Sequence, residues 1–379
     1  MSEPTPNPYL LQVPLYIAGK SPEEAREALG LNDVLKLASN ENPLGPSPMA
    51  VAALQGALAE AHRYPGIAER DLRRRLAIHL GRGLSENHFI IGNGATDVLR
   101  MIAQTFIFGG GETVACRVSF PLFGLLPTMF GGKPILIDPA EDYSIDLDSV
   151  LGAVTQDTRI VWLCSPNNPT GIVLTARSVE ALLAELPQGV VVVMDESYCD
   201  YVDDPSAVDA IEHVVRGRNL IAVRSFSKSA GLANLRVGYG IARPELIEYL
   251  MHAVLPFNTG SPAIQAAIAS LDDLDYHNHS RQLIQEERAF LFQGLTGLGL
   301  RAIASQANFV LAVGVPGGGQ WLADQLLQSG VIVRPMRDFG LPDAIRVSVG
   351  RREQTERFLA ALKGILDTRR SIPPSGSLP

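Results

Sequence analysis

From about residue 48 to residue 250 the chain alternates short, β-branched apolar runs with helix-like stretches, an order that few folds accept. The runs fall at 89–91, 113–118, 134–137, 159–164, 190–194, 220–223 and 237–242. Runs this apolar are expected to be buried on both faces. Connections such as 95–108 and 175–186 are long enough to be helical crossovers. The expected fold class is therefore α/β, with a mainly parallel seven-stranded sheet between helices and its ligand site at the carboxyl ends of the strands.

The flanking sequence differs in character. Residues 1–47 are rich in proline and polar side chains and read as an arm. The arm has one helical candidate at 21–29, where Ser21 is placed to cap and Pro22 takes the first helical position. The large domain is expected over 48–255. A helical region at 262–294, strands at 308–313, 331–334 and 345–349, and an amphipathic helix at 353–366 predict a linking helix and a small α+β domain over 256–368. Residues 369–379, of Pro-Pro-Ser-Gly-Ser character, are expected to be a disordered tail.

Composition narrows the functional classes. A formal net charge of −8, without a basic patch, does not favour nucleic acid as a partner. Cys116, Cys164 and Cys199 lie in apolar runs without metal-ligand spacing, so buried thiols in a reducing compartment are expected and no metal is called for. No apolar run approaches the length of a membrane span, and the N-terminus has no cationic segment leading into an apolar one. A cytoplasmic location is the expectation.

Polar residues gather where the predicted strands end. Gly92-Asn93-Gly94-Ala95-Thr96-Asp97 opens a helix with free backbone N–H groups, a place for a phosphate. Ser165-Pro166-Asn167-Asn168-Pro169-Thr170-Gly171 and Asp195-Glu196-Ser197-Tyr198 follow later strands. Ser225-Phe226-Ser227-Lys228 then leads through small residues to Arg236. A lysine at a buried strand end loses part of its charge preference and becomes an amine able to condense with a carbonyl. The flanking hydroxyls and arginine suit a phosphate beside it.

Asn168-Pro169-Thr170-Gly171, Asp195 with Tyr198, and Ser225-x-Ser227-Lys228 with Arg236 resemble the ordered signature of the fold-type I aminotransferases, which use pyridoxal 5′-phosphate. The resemblance implies that Lys228 bonds the cofactor aldehyde and then carries the substrate's proton. It implies that Asp195 pairs with the pyridine nitrogen, and that Asn168 and Tyr198 bond the phenolic oxygen. Arg236, Ser225, Ser227 and the backbone of Ala95 and Thr96 would hold the phosphate, and Phe123 would stack on the ring.

Within that superfamily the chain is similar to the histidinol-phosphate aminotransferases. Asn40-Glu41-Asn42-Pro43-Leu44-Gly45, Arg63-Tyr64-Pro65, Phe226-Ser227-Lys228-Ser229 and Gly330-Val331-Ile332-Val333-Arg334-Pro335 carry this likeness. It implies transfer of an amino group from histidinol phosphate to 2-oxoglutarate. Arg346 would bind the substrate's anionic group, Asn42 and Leu44 would line the substrate site, and Tyr64 would reach the phosphate site of a second subunit, so a homodimer is implied. Leu44, Phe123, Asn234 and Arg351 depart from the family's usual residues. An aromatic or broad-range aminotransferase and an amino acid phosphate decarboxylase are the alternatives.

Overall fold

The computed structural model describes residues 4–15, 21–31 and 33–371. Strand β1 (Leu35–Leu37) leaves the arm. It is followed by β2 (Phe89–Asn93), β3 (Glu112–Cys116), β4 (Lys133–Ile137), β5 (Thr158–Cys164), β6 (Val191–Asp195), β7 (Leu220–Ser225) and β8 (Val237–Ile241). The last four are β9 (Arg301–Ile303), β10 (Phe309–Val313), β11 (Val331–Pro335) and β12 (Ala344–Ser348). Strands β2 to β8 form a seven-stranded sheet in the order β2-β8-β7-β6-β5-β3-β4. From β7 to β4 every pairing is parallel, and β8 is antiparallel to both β2 and β7.

The apolar runs account for that layering. Val192 and Met194 lie in the core on one face of β6 and Val193 in the core on the other, so the strand is buried on both sides. Each neighbouring strand repeats the pattern, as with Leu163 and Trp162 in β5. The second sheet, β1-β11-β12-β10-β9, is mostly antiparallel and has its own core, in which Val310, Ile345 and Val347 meet Leu291 and Phe358. The two strands absent from the sequence reading, β1 and β9, are edge strands of three residues each.

Three expectations are refined. The predicted arm helix is present as Pro22–Leu29, with a complete Ser21–Glu24 capping box. The region 262–294 is two helices, Ser261–Leu271 and Leu274–Gly297. The break comes at Asp273, whose carboxylate accepts the Tyr276 N–H and the Ser47 hydroxyl and so anchors the arm. The last helix runs over Arg352–Ser371, and Arg369 lies over the Trp321 ring, which extends its docking by a turn. Residues 369–371 are therefore helical, not tail, and 372–379 fall outside the described residues. Among the described residues no helix is long and apolar enough to cross a membrane.

Gly238 in β8 sets how closely the helix Ala95–Phe106 approaches the sheet. A Cβ there would overlap the backbone of Gly94 and Ala95, neither of which is a flexible side-chain end. Gly152 meets nothing within 4 Å. Gly238→Ala should lower stability by roughly 1–3 kcal/mol through overpacking, whereas Gly152→Ala should leave it unchanged or slightly improved. Urea unfolding of the two variants checks the contrast.

Candidate active site

The polar clusters meet at the carboxyl edge of the large sheet. Asp195 ends β6 and is 5% exposed. Its Oδ1 accepts both the Ser197 N–H (3.0 Å) and the Ser197 hydroxyl (2.6 Å), leaving Oδ2 for another donor. Burial pushes its carboxyl above the ordinary aspartate value, against the pull of the Ser197 bonds and the charge of Lys228. Behind it, Glu196 is buried in an ion pair with Arg224 at 2.8 Å, which ties the end of β6 to the end of β7.

The β7 end carries the lysine. Ser225 Oγ accepts the Ser227 N–H (3.0 Å), which shapes the turn that presents Lys228. Lys228 Nζ donates weakly to the Ser39 carbonyl (3.4 Å) and lies 5.6 Å from the centre of the Tyr198 ring. Its pKa falls to about 8, first through burial and then through the Arg346 charge, while Glu41 and Asp195 act in the opposite direction.

Arg236 closes the loop with a left-handed backbone (φ 54°). Its Nη1 donates to the Ala233 carbonyl (2.8 Å) and to Ser227 Oγ (3.4 Å). A Cβ on Gly94, itself at φ 81°, would overlap Arg236 Nη2, so the guanidinium lies against the start of the helix Ala95–Phe106. No side chain caps that helix, and no carboxylate pairs with Arg236 among the described residues. Arg236, Ser227 and the N–H groups of Ala95 and Thr96 thus make an anion cradle.

Arg346, in β12, is 6% exposed and donates to Asn168 Oδ1 (2.5 Å) and to the Ala38 carbonyl (2.9 Å). Its Nε is buried without a partner, and its guanidinium lies 5.2 Å from the Phe309 ring centre. Burial brings its pKa down to about 10. Arg334 is its register partner across β11 and β12.

The structure brings Lys228, Asp195, Tyr198, Asn168, Ser225, Ser227, Arg236, Ala95, Thr96 and Arg346 to this edge. Three other side chains are occupied by contacts within the protein. Phe123 is 1% exposed and stacks on Trp162 (5.4 Å between centroids), so its ring is core and offers no free face. The half-buried aromatic at the end of β3 is Phe120, which the motif reading passed over. Asn42, expected on substrate, donates instead to the carbonyls of Lys228 and Ser229 and to Ser280 Oγ. It pins the arm to the lysine loop, with Leu44 half-buried beside it. Tyr64 is 79% exposed and stacked on Phe257.

Two more residues went unassigned in the motif reading, Arg334 and Asn40. Arg334 becomes visible only once β11 and β12 are known to pair. Asn40 has a left-handed backbone (φ 54°), a conformation asparagine tolerates better than most residues, and its side chain reaches Tyr198.

The family described as Aminotransferase class I and II matches residues 32–362. The chain belongs to this family. As an aminotransferase it is similar to histidinol-phosphate aminotransferase 1 of Nitrosococcus oceani, 41% identical over 93% of this chain and 94% of the relative. It is also similar to histidinol-phosphate aminotransferase of Moorella thermoacetica, 40% identical over 94% and 92%. Among solved structures, histidinol-phosphate aminotransferase of Sinorhizobium meliloti in complex with pyridoxal-5′-phosphate superposes with a TM-score of 0.87. That protein is 27% identical, over 97% of this chain and 99% of its own.

For the cofactor-free aminotransferase, the lowered pKa of Lys228 sets a pH dependence. The folded protein binds this proton less tightly than the unfolded chain, whose lysine keeps the ordinary value of 10.5. The penalty of holding the charged amine is complete below about pH 8 and disappears as pH rises towards 10.5. Lys228→Met should therefore be more stable than the parent at neutral pH, with the advantage shrinking through that window. Thermal unfolding at a series of pH values checks it.

Proposed function

We propose that the protein is a histidinol-phosphate aminotransferase that uses pyridoxal 5′-phosphate and acts as a cytoplasmic homodimer. One observation carries the substrate reading. Among the described residues Arg346 is a buried guanidinium with no carboxylate partner and a free Nε, and Arg334 faces it in register, bridged at 3.1 Å to the exposed Asp338. Burial lowers the Arg346 pKa and the Arg334 charge adds to it, so Arg346 stands beside a second guanidinium without an anion of its own. A phosphate ester carries up to two negative charges and three acceptor oxygens, and it relieves two guanidiniums more fully than one carboxylate does.

The chemistry of the donor set fits the cofactor. Arg236, Ser225, Ser227 and the N–H groups of Ala95 and Thr96 would hold its phosphate, and Asp195 Oδ2 is open for the pyridine nitrogen. Asn168 gives its oxygen to Arg346, so its amide N–H is free for the phenolic oxygen beside Tyr198. Phe120, the half-buried ring packed edge-on against Phe123, would stack on the cofactor ring in place of Phe123. What the group supplies when bound is a ring that withdraws the electron pair left at the substrate's Cα. Lys228 Nζ, neutral above about pH 8, would hold the aldehyde carbon with loss of water and, once the substrate amine has displaced it, would be the base for the proton at that Cα. Arg346 and Arg334 orient the anion, and the arm at Leu44 covers the substrate. Tyr64, exposed on its stack with Phe257, is free to enter the phosphate site of a second copy. Three free cysteines accord with a reducing compartment.

Loaded with pyridoxal 5′-phosphate, the protein should show a visible absorption band that Lys228→Ala lacks. Histidinol phosphate should bleach the band faster than phenylalanine or threonine phosphate. Arg334→Met should slow histidinol phosphate by about tenfold or more, the ~1.5–3 kcal/mol of a hydrogen bond to a charged group, with little effect on phenylalanine. Faster bleaching by phenylalanine would mark an aromatic aminotransferase, and carbon dioxide release from threonine phosphate a decarboxylase.

A further inference from the structure

Asn40 joins three elements. Its backbone N–H donates to Ser348 Oγ at the end of β12 (2.8 Å), and its carbonyl accepts from Asn308 Nδ2 (2.9 Å). Ser348 Oγ also lies 3.1 Å from Asn40 Oδ1, and Asn40 Nδ2 lies 3.0 Å from the Tyr198 hydroxyl oxygen. Asn40, Ser348 and Tyr198 are all buried.

The orientation of the Asn40 amide follows from Ser348. The serine oxygen already accepts the Asn40 N–H, so its own hydrogen needs an acceptor, and Asn40 Oδ1 is the one within reach. The reversed amide would aim Nδ2 at Ser348 and leave the serine hydrogen without a bond in a buried place, which the network avoids. With Oδ1 on Ser348, Nδ2 must be the group on Tyr198. The tyrosine oxygen therefore accepts from Asn40 and cannot turn its own hydrogen that way.

We infer that Asn40 is a positioning residue: by donating to the Tyr198 oxygen, it obliges that hydroxyl to present its proton to the open side of the site. The phenol is held in its protonated form by burial, with a pKa of about 12, so a proton is there to present. Its ring is fixed edge-on to Phe309 at 5.2 Å, which leaves the hydroxyl torsion as the remaining freedom, and Asn40 removes it. The small sheet thus sets the polarity of a large-domain side chain. The inference rests on the reading that Tyr198 meets the cofactor's phenolic oxygen.

The test is the pH midpoint of the visible band in protein loaded with pyridoxal 5′-phosphate. A proton donated to the phenolic oxygen stabilises its anion and keeps the midpoint low, so Tyr198→Phe should raise it. Asn40→Asp places an acceptor where the donor was and draws the tyrosine proton away from the site. It should raise the midpoint by about one pH unit, a tenfold change in proton affinity. In the Tyr198→Phe background the same substitution should have much less effect. Ser348→Ala, which frees the amide to turn, should shift the midpoint in the same direction by less. Equal shifts from Asn40→Asp in both backgrounds would show a through-space charge effect and overturn the inference. So would no shift from either Asn40→Asp or Ser348→Ala when Tyr198→Phe does shift. An unmoved midpoint in Tyr198→Phe itself would instead remove the reading of Tyr198, and the inference with it.

Discussion

The register of β6 against β7 is the constraint on which the site depends. Asp195 lies opposite Val223, so the acidic end of one strand faces the segment that leads through Ser225 to Lys228. A slip of one residue would turn Asp195 to the opposite face and bury Met194 where the carboxylate belongs. The register is held in two ways. Successive valines on β6 enter different cores, so a slip would exchange both faces at once. At the strand ends, the Glu196–Arg224 pair is buried, and losing its alignment would leave two unpaired charges away from water.

Around that frame the edge of the sheet concentrates groups that burial penalises. Asp195 is raised by desolvation, Lys228 is lowered by it, and Arg346 is lowered with an Nε that meets no acceptor. Arg236 sits at a helix start that already carries partial positive charge. Each position disfavours the protein alone and favours a ligand of complementary charge, which is how an active site differs from ordinary core. The arm completes the enclosure. Asn42 bonds the lysine loop, Tyr276 bonds the Gly45 carbonyl, and Ser47 bonds Asp273, so the arm is fastened to both the large domain and the linking helix.

Much of this was legible in the sequence, because it depends on local chemistry. The seven strands announced themselves as apolar runs, and Ser21 with Pro22 predicted its helix. Lys228, Asp195, Asn168 and Arg236 stood out as polar residues where strands had to end. Residues whose roles depend on distant neighbours were harder to read. Phe123 and Phe120 are three positions apart on the same apolar run. Only the packing of Phe123 on Trp162 of β5 shows which ring is core and which is half-buried. The likeness to the histidinol-phosphate aminotransferases implied a substrate role for Asn42, whose amide donates to carbonyls of a loop 186 and 187 residues away in sequence.

The sequence by itself determined the fold class, the edge of the sheet where the chemistry gathers and the lysine at its centre. Those follow from hydrophobic periodicity and from the intrinsic properties of an amine, a carboxylate and a guanidinium at buried strand ends. Only the tertiary structure decided that Arg334 faces Arg346, that the arm grips the lysine loop and that Asn40 reaches Tyr198. These contacts join segments about 150 to 300 residues apart or lie across a strand register, as with Asn40 and Ser348 at a separation of 308. A hydrogen bond acts over about 3 Å. Spacing along the chain therefore carries no record of it until the two sheets are packed together.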